Sequence, residues 1–236
     1  MLLSVVSCQL YCRCMNVVLV HGWLSGPRHH WFFWLKRELE KKGFNVIAQK
    51  MPTPAKPRKD QWVPALKQIL KNLDPSQTIL IGHSLGTPTI LYALNDHKGK
   101  KFAQVILVSG FARKIPHMEE FINGYEMDFD LTTIKSKSRD WVCIHADNDP
   151  LVPFAEAEWL ADQLGATLIN ETGRGHLTYY RGTTKLPSAL RAVLKEVFSS
   201  DSAAVKKSNA PMKLQSAFEL VLALRDKIKN KVRKGC

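Results

Sequence analysis

The sequence has no apolar run long enough to cross a bilayer. Runs such as Val17–Val20 and Val105–Val108 span a few residues, against the roughly 20 that a spanning helix needs. It also lacks a cysteine framework. Of its five cysteines, Cys8, Cys12 and Cys14 crowd the start, with Cys143 and Cys236 far off. An odd, clustered set does not form a disulfide scaffold. No Cys-x-x-Cys pair with partner histidines is present, which argues against a zinc site. A reducing compartment, the cytoplasm, is therefore expected. Acidic residues are scarce: 21 against 34 basic, for a formal charge of +13. A fibrous or disordered chain is excluded by ordinary contents of 45% hydrophobic and 23% charged residues.

The 236 residues suit one domain with an appendage, or two small domains. The last 36 residues carry nine basic and three acidic side chains, so nearly half of the excess charge sits there. Met1–Tyr11 lacks the basic and long apolar regions of a signal peptide. Val5-Val6-Ser7-Cys8 loosely resembles a lipoprotein cleavage box, with too few residues before it. Residues 1–14 are read as a loose N-terminal extension, with Met15 as an alternative start.

Between residues 15 and 198, short β-branched runs alternate with helical spacings. Strands are expected at Asn16–Val20, Asn45–Ala48, Thr78–Ile81, Val105–Val108, Trp141–His145 and Ala166–Ile169. Helices are expected at His30–Lys42, which Gly43 ends, at Trp62–Leu70 with Asp60 as cap, and at Leu85–Leu94, Ala155–Leu164 and Leu186–Phe198. Met51–Pro57 is too proline-rich for either. Phe111–Arg139 shows no sustained period. The alternation predicts an α/β fold: about six mostly parallel strands flanked by helices on both faces, a three-layer sandwich. Residues 199–211 read as a linker and 212–236 as a basic amphipathic helix. That helix is open to several readings: contact with anionic lipid, contact with a partner protein, or a terminal helix docked on the domain or left solvated. No recognised motif organises the charge for nucleic acid.

The chemistry lies at three loops. Gly82-x-Ser84-x-Gly86 stands between a strand and a helix, the setting of a nucleophile elbow. Pro88, four residues after Ser84, is compatible with a first helical turn. A serine needs a base, and the base an orienting acid. Asp147 and Asp149 follow the fifth strand, and His176 follows the last. Of the eight histidines, His176 alone comes after both serine and acid. His29, His30, His97 and His117 read as solvated and His145 as a core residue. The oxyanion donors expected are the N–H groups of Leu85 and Trp23. His21, Gly22 and His83 at the active edge, with Phe111 and Tyr125 of the variable segment, complete the expected substrate-binding set.

These residues resemble the α/β-hydrolase superfamily, and within it the small serine hydrolases of the retinoblastoma-binding-protein-nine type. The likeness spans about residues 15–198. It includes Trp31–Glu40, Met51-Pro52-Thr53-Pro54, Trp62-Val63-Pro64, Gly82-His83-Ser84, Leu107-Val108-Ser109, Asp149–Phe154 and Gly175-His176. Asp149-Pro150-Leu151-Val152-Pro153 resembles the segment around the acid in that superfamily, which favours Asp149 over Asp147. The resemblance implies Ser84, Asp149 and His176 as nucleophile, acid and base, with a small lid and no cofactor. It implies hydrolysis of a small ester, thioester or amide. A hydrolase-fold interaction scaffold is the alternative. The chain departs from the pattern in its His-Gly-Trp oxyanion turn, in Phe111–Arg139 and in the basic tail.

Overall fold

The computed structural model describes residues 15–116 and 124–207, with side chains to Val197. The expected N-terminal extension and the C-terminal helix at 212–236 lie outside the described residues. By its contacts the chain separates into Met1–Phe198 and Ser199–Cys236. The sheet belongs to the first unit.

Six strands form it: β1 (Asn16–Val20), β2 (Asn45–Ile47), β3 (Thr78–His83), β4 (Gln104–Val108), β5 (Trp141–His145) and β6 (Thr167–Asn170). Their order is β2-β1-β3-β4-β5-β6, and every neighbour is parallel. The helices are α1 (Phe32–Glu40), α2 (Lys59–Leu70), α3 (Gly86–Asn95), α4 (Leu131–Lys135), α5 (Phe154–Leu164) and α6 (Pro187–Lys207).

Successive strand side chains point to opposite faces, so each strand feeds two cores. Val18, Val20, Leu80, Val105 and Leu107 pack with Trp62 and Leu66 of α2, Ile90 and Leu94 of α3 and Leu160 of α5. Val17, Leu19, Ile79, Ile81, Ile106 and Val108 pack with Phe32, Leu35 and Leu39 of α1 and Ala189 and Val193 of α6. Strands covered on both sides read as unbroken apolar runs, which is why they were visible in the sequence. Truncating one of these fully buried leucines to alanine costs about 2–5 kcal/mol.

Besides small shifts at the ends of several elements, three features differ from expectation. Asp60 does not cap α2. The helix opens at Lys59 from Arg58, and Asp60 pairs with the Arg58 guanidinium at 2.6 Å. Within Phe111–Arg139, α4 forms after Asp130, whose side chain accepts the Thr133 N–H. Helix α6 runs on through Lys207, into the expected linker. Ala203, Ala204, Lys206 and Lys207 are good helix formers, and no proline intervenes before Pro211.

The chain leaves β1 toward β2 on one side and returns to β3 on the other. Such a switch of direction opens a crevice beyond the carboxyl ends of the strands, where ligands bind in open α/β sheets. Among the described residues no helix is long and apolar enough to cross a membrane.

Candidate active site

Ser84 sits where β3 meets α3, with φ at +51°. A side chain in this left-handed region is strained by about 1–2 kcal/mol. The strain is held in place from several sides. The Ser84 N–H donates to the Val108 carbonyl at 2.9 Å, and its carbonyl accepts the Thr87 N–H at 2.9 Å. The flanking glycines leave no room for anything larger. A Cβ on Gly86 would lie 2.2 Å from the Val20 carbonyl oxygen, and one on Gly82 would lie 2.9 Å from the Gly86 backbone. A Cβ on Gly22 would stand 3.0 Å from the Ser84 Cβ, so the turn after β1 abuts the serine. Pro88 falls in the first turn of α3, as the elbow requires.

His176 lies beyond β6, between Gly175, at φ +57°, and Leu177, at φ +50°. Its Nδ1–H donates to Asp149, at 2.8 Å from Oδ2 and 3.0 Å from Oδ1. Asp149 Oδ1 also accepts the N–H groups of Leu151 (2.9 Å) and Val152 (3.1 Å). Burial works against the charged carboxylate. The His176 hydrogen bond and charge, with the two N–H groups, outweigh it and hold Asp149 below its ordinary value. Ser84 Oγ makes no hydrogen bond among the described residues. Nucleophile–base contacts are often loose until substrate is bound.

Of the two candidate acids, the geometry pairs Asp149 with His176 and turns Asp147 elsewhere. Asp147 is exposed and accepts the Gly173 N–H at 2.8 Å. Between them, Asn148 Oδ1 accepts the Gly175 N–H at 2.8 Å. Three consecutive side chains thus fasten the histidine-bearing loop.

His21 and His83 are committed internally. His21 Nε2 accepts the Met51 N–H at 2.9 Å, so its proton sits on Nδ1, which donates to the Gly22 carbonyl at 2.8 Å. The ring thereby ties the turn after β1 to the proline-rich loop. His83 Nε2–H donates to the His176 carbonyl at 3.0 Å. Desolvation, then the nearby His176 and His30, holds the His83 ring neutral. Phe111 and Tyr125 are both buried in the core beside α3, and the Tyr125 hydroxyl meets Thr89 Oγ1 at 2.8 Å. Neither is presented at the surface. Trp23 directs its Nε1–H to the Ala55 carbonyl, and Leu85 opens α3, where helix N–H groups lack intrahelical partners.

Two histidines depart from their sequence reading or add to it. His30, expected to be solvated, is half-buried. Its ring stacks on Tyr179 with centroids 5.2 Å apart and meets His83 edge-on at 5.4 Å. Burial first, then His29 and His176, pushes its pKa down to about 4. No local signal could have marked it, because Tyr179 is distant in sequence. His145 is the expected core residue, and its Nε2 also lies 3.4 Å from Asp149 Oδ2.

The family description "Serine hydrolase" matches residues 17–195. YdeN of Bacillus subtilis (strain 168) is 33% identical over 188 residues, covering 79% of this chain and 98% of that protein. The serine hydrolase RBBP9 of Rattus norvegicus is 31% identical over 150 residues, covering 63% and 78% respectively. The crystal structure of the ydeN gene product superposes with a TM-score of 0.73 at 32% identity, over 78% of this chain and 99% of that one. The elbow, the parallel sheet and these likenesses agree: this chain is an enzyme of α/β-hydrolase fold and belongs to the serine hydrolase family.

Proposed function

We propose that the chain hydrolyses a small ester, thioester or amide through a serine–histidine–aspartate triad. The observation that carries this reading is the buried Asp149–His176 hydrogen bond, on a loop that reaches the strained Ser84 elbow. With Nδ1–H given to Asp149, a neutral His176 keeps its lone pair on Nε2. Ser84 Oγ attacks the substrate carbonyl carbon while Nε2 takes the hydroxyl proton. Asp149 stays ionised and stabilises the imidazolium that forms.

The oxyanion is met by the Leu85 and Trp23 N–H groups, each such donor contributing about 10²–10³-fold in rate. Collapse breaks the bond to the leaving group, which takes the proton from Nε2. Water then attacks the acyl-serine and gives a proton to His176, which passes it to Ser84 Oγ as the C–Oγ bond breaks and the acid leaves. The buried Cys143, whose thiol burial pushes up to about 12, stays out of this chemistry. The odd number of cysteines in the sequence, with Cys143 free, supports action in the cytoplasm.

A fluorophosphonate probe tests the reading. It is expected to label the purified protein and to leave Ser84→Ala unlabelled. Absence of labelling, or equal labelling of the variant, overturns it. A triad without turnover of 4-nitrophenyl acetate would instead favour the scaffold alternative.

A further inference from the structure

Beyond the turn that abuts Ser84 lies a cavity of about 330 Å³, within the size range of small-molecule sites. One wall is Leu24–His29. The other is Lys50, Pro54 and Ala55. Two hydrogen bonds join the walls: the Leu24 N–H to the Pro54 carbonyl at 2.9 Å and the Trp23 Nε1–H to the Ala55 carbonyl at 3.1 Å. Gly22, which abuts the serine, is two residues from Leu24, at most about 8 Å of backbone. The Leu24 edge of the cavity therefore lies close to the serine.

Three observations point to what fills it. Ser25 lines the cavity and is 4% exposed, yet its Oγ has no hydrogen-bond partner. Buried hydroxyls are normally paired; those of Thr87, Ser109 and Ser188 also lack a partner among the described residues, but of the four only Ser25 lines the cavity. Gly26 is also buried, but a Cβ placed on it would meet nothing within 4 Å, so open space begins at its backbone. At the rim stand Arg28, His29 and Lys50, and among the described residues no acidic side chain lines the cavity. Neither Arg28 nor Lys50 has an acidic partner among the described residues. The remaining lining, with Leu24, Pro27, Pro54 and Ala55, is apolar. An apolar lining with cations at the rim and a buried hydroxyl in the wall suits a chain that is aliphatic along its length and anionic at its end.

We propose that this cavity is the acyl subsite, and that it selects acyl chains ending in a carboxylate, with Arg28 and Lys50 receiving the charge and Ser25 Oγ–H donating to a carboxylate oxygen. This deepens the hydrolase reading of Ser84 and rests on it. Charge-assisted hydrogen bonds of this kind are worth about tenfold or more in affinity.

The experiment compares 4-nitrophenyl butyrate with the 4-nitrophenyl monoesters of succinic, glutaric, adipic and suberic acid. At least one monoester is expected to exceed the butyrate in kcat/KM by about tenfold, with the preference shrinking as salt rises. The ratio of that monoester to butyrate is expected to fall about tenfold in Arg28→Ala/Lys50→Ala and severalfold in Ser25→Ala. Gly26→Leu, which enters open space, is expected to fold normally and to lower turnover of the longest monoesters most. Turnover of butyrate with no preference for any monoester, or an unchanged ratio in all three variants, overturns the subsite alone. Turnover of none of the esters, with no fluorophosphonate labelling, overturns the hydrolase reading and the subsite together.

Discussion

His83, the residue directly before Ser84, donates its Nε2–H to the backbone carbonyl of His176 at 3.0 Å. The serine elbow and the histidine loop are therefore bonded to each other behind the side chains proposed to react. His83→Phe fills similar space but strands the His176 carbonyl. It is expected to lower kcat for 4-nitrophenyl acetate by about ten- to a hundredfold, and stability by about 1–3 kcal/mol. His83→Gln keeps a donor and should recover much of the kcat. Equal losses in the two variants would show that ring packing alone is at stake.

The two aspartates separate cleanly. Asp149→Asn would leave His176 in the wrong tautomer, and kcat is expected to fall by about 10³–10⁴-fold. Asp147→Asn keeps an acceptor for the Gly173 N–H, and its kcat is expected to stay within about threefold of the parent. Steady-state kinetics on the pair decides, and a deeper loss at Asp147 would reassign the acid.

Ser84, the proposed nucleophile, carries backbone strain of the kind that clusters at active sites. Ser84→Gly removes the Cβ from a left-handed position. It is expected to abolish fluorophosphonate labelling while raising stability by about 1 kcal/mol in urea unfolding. A destabilised glycine variant would contradict the strain argument.

His30 links stability to pH. Its pKa is held down to about 4 in the folded chain, against an ordinary 6.5 when unfolded. Between these values the unfolded chain binds the proton and the folded chain does not. Stability is therefore complete above about pH 6.5 and is lost as pH falls toward 4. The ring is partly solvated, so the effect is on the order of 1 kcal/mol after screening. His30→Asn tolerates the residue's positive φ. It should narrow the gap between urea midpoints at pH 7 and pH 5. An unchanged gap would remove His30 from the acid limb.

Much of this molecule was legible because the signals were local. Val17–Val20 and Val105–Val108 announced strands buried on both sides, and Gly82, Ser84, Gly86 and Pro88 announced a strand–elbow–helix junction. Asp149 could be preferred to Asp147 only by likeness to a family pattern. Geometry separates them, through hydrogen bonds to a loop more than 20 residues away. His30 against Tyr179 and His83 against His176 are pairings of the folded chain that leave no period behind. Helix extends into the first part of the expected linker for a simpler reason: Ser, Ala and Lys suit an exposed helix as well as a tether, and the sequence pattern alone does not choose between them.

Asp147, Asn148 and Asp149 each hold a different point of the histidine loop. A single inserted or deleted residue in either segment would shift all three partners at once, so the two segments form a lock with one key position. Anyone evolving this enzyme toward new substrates should keep residues 147–149 and 173–176 fixed in length, with a hydrogen-bond acceptor kept at 147 and 148. Diversity belongs on the walls of the proposed subsite, where Leu24 and Ala55 lie outside the lock.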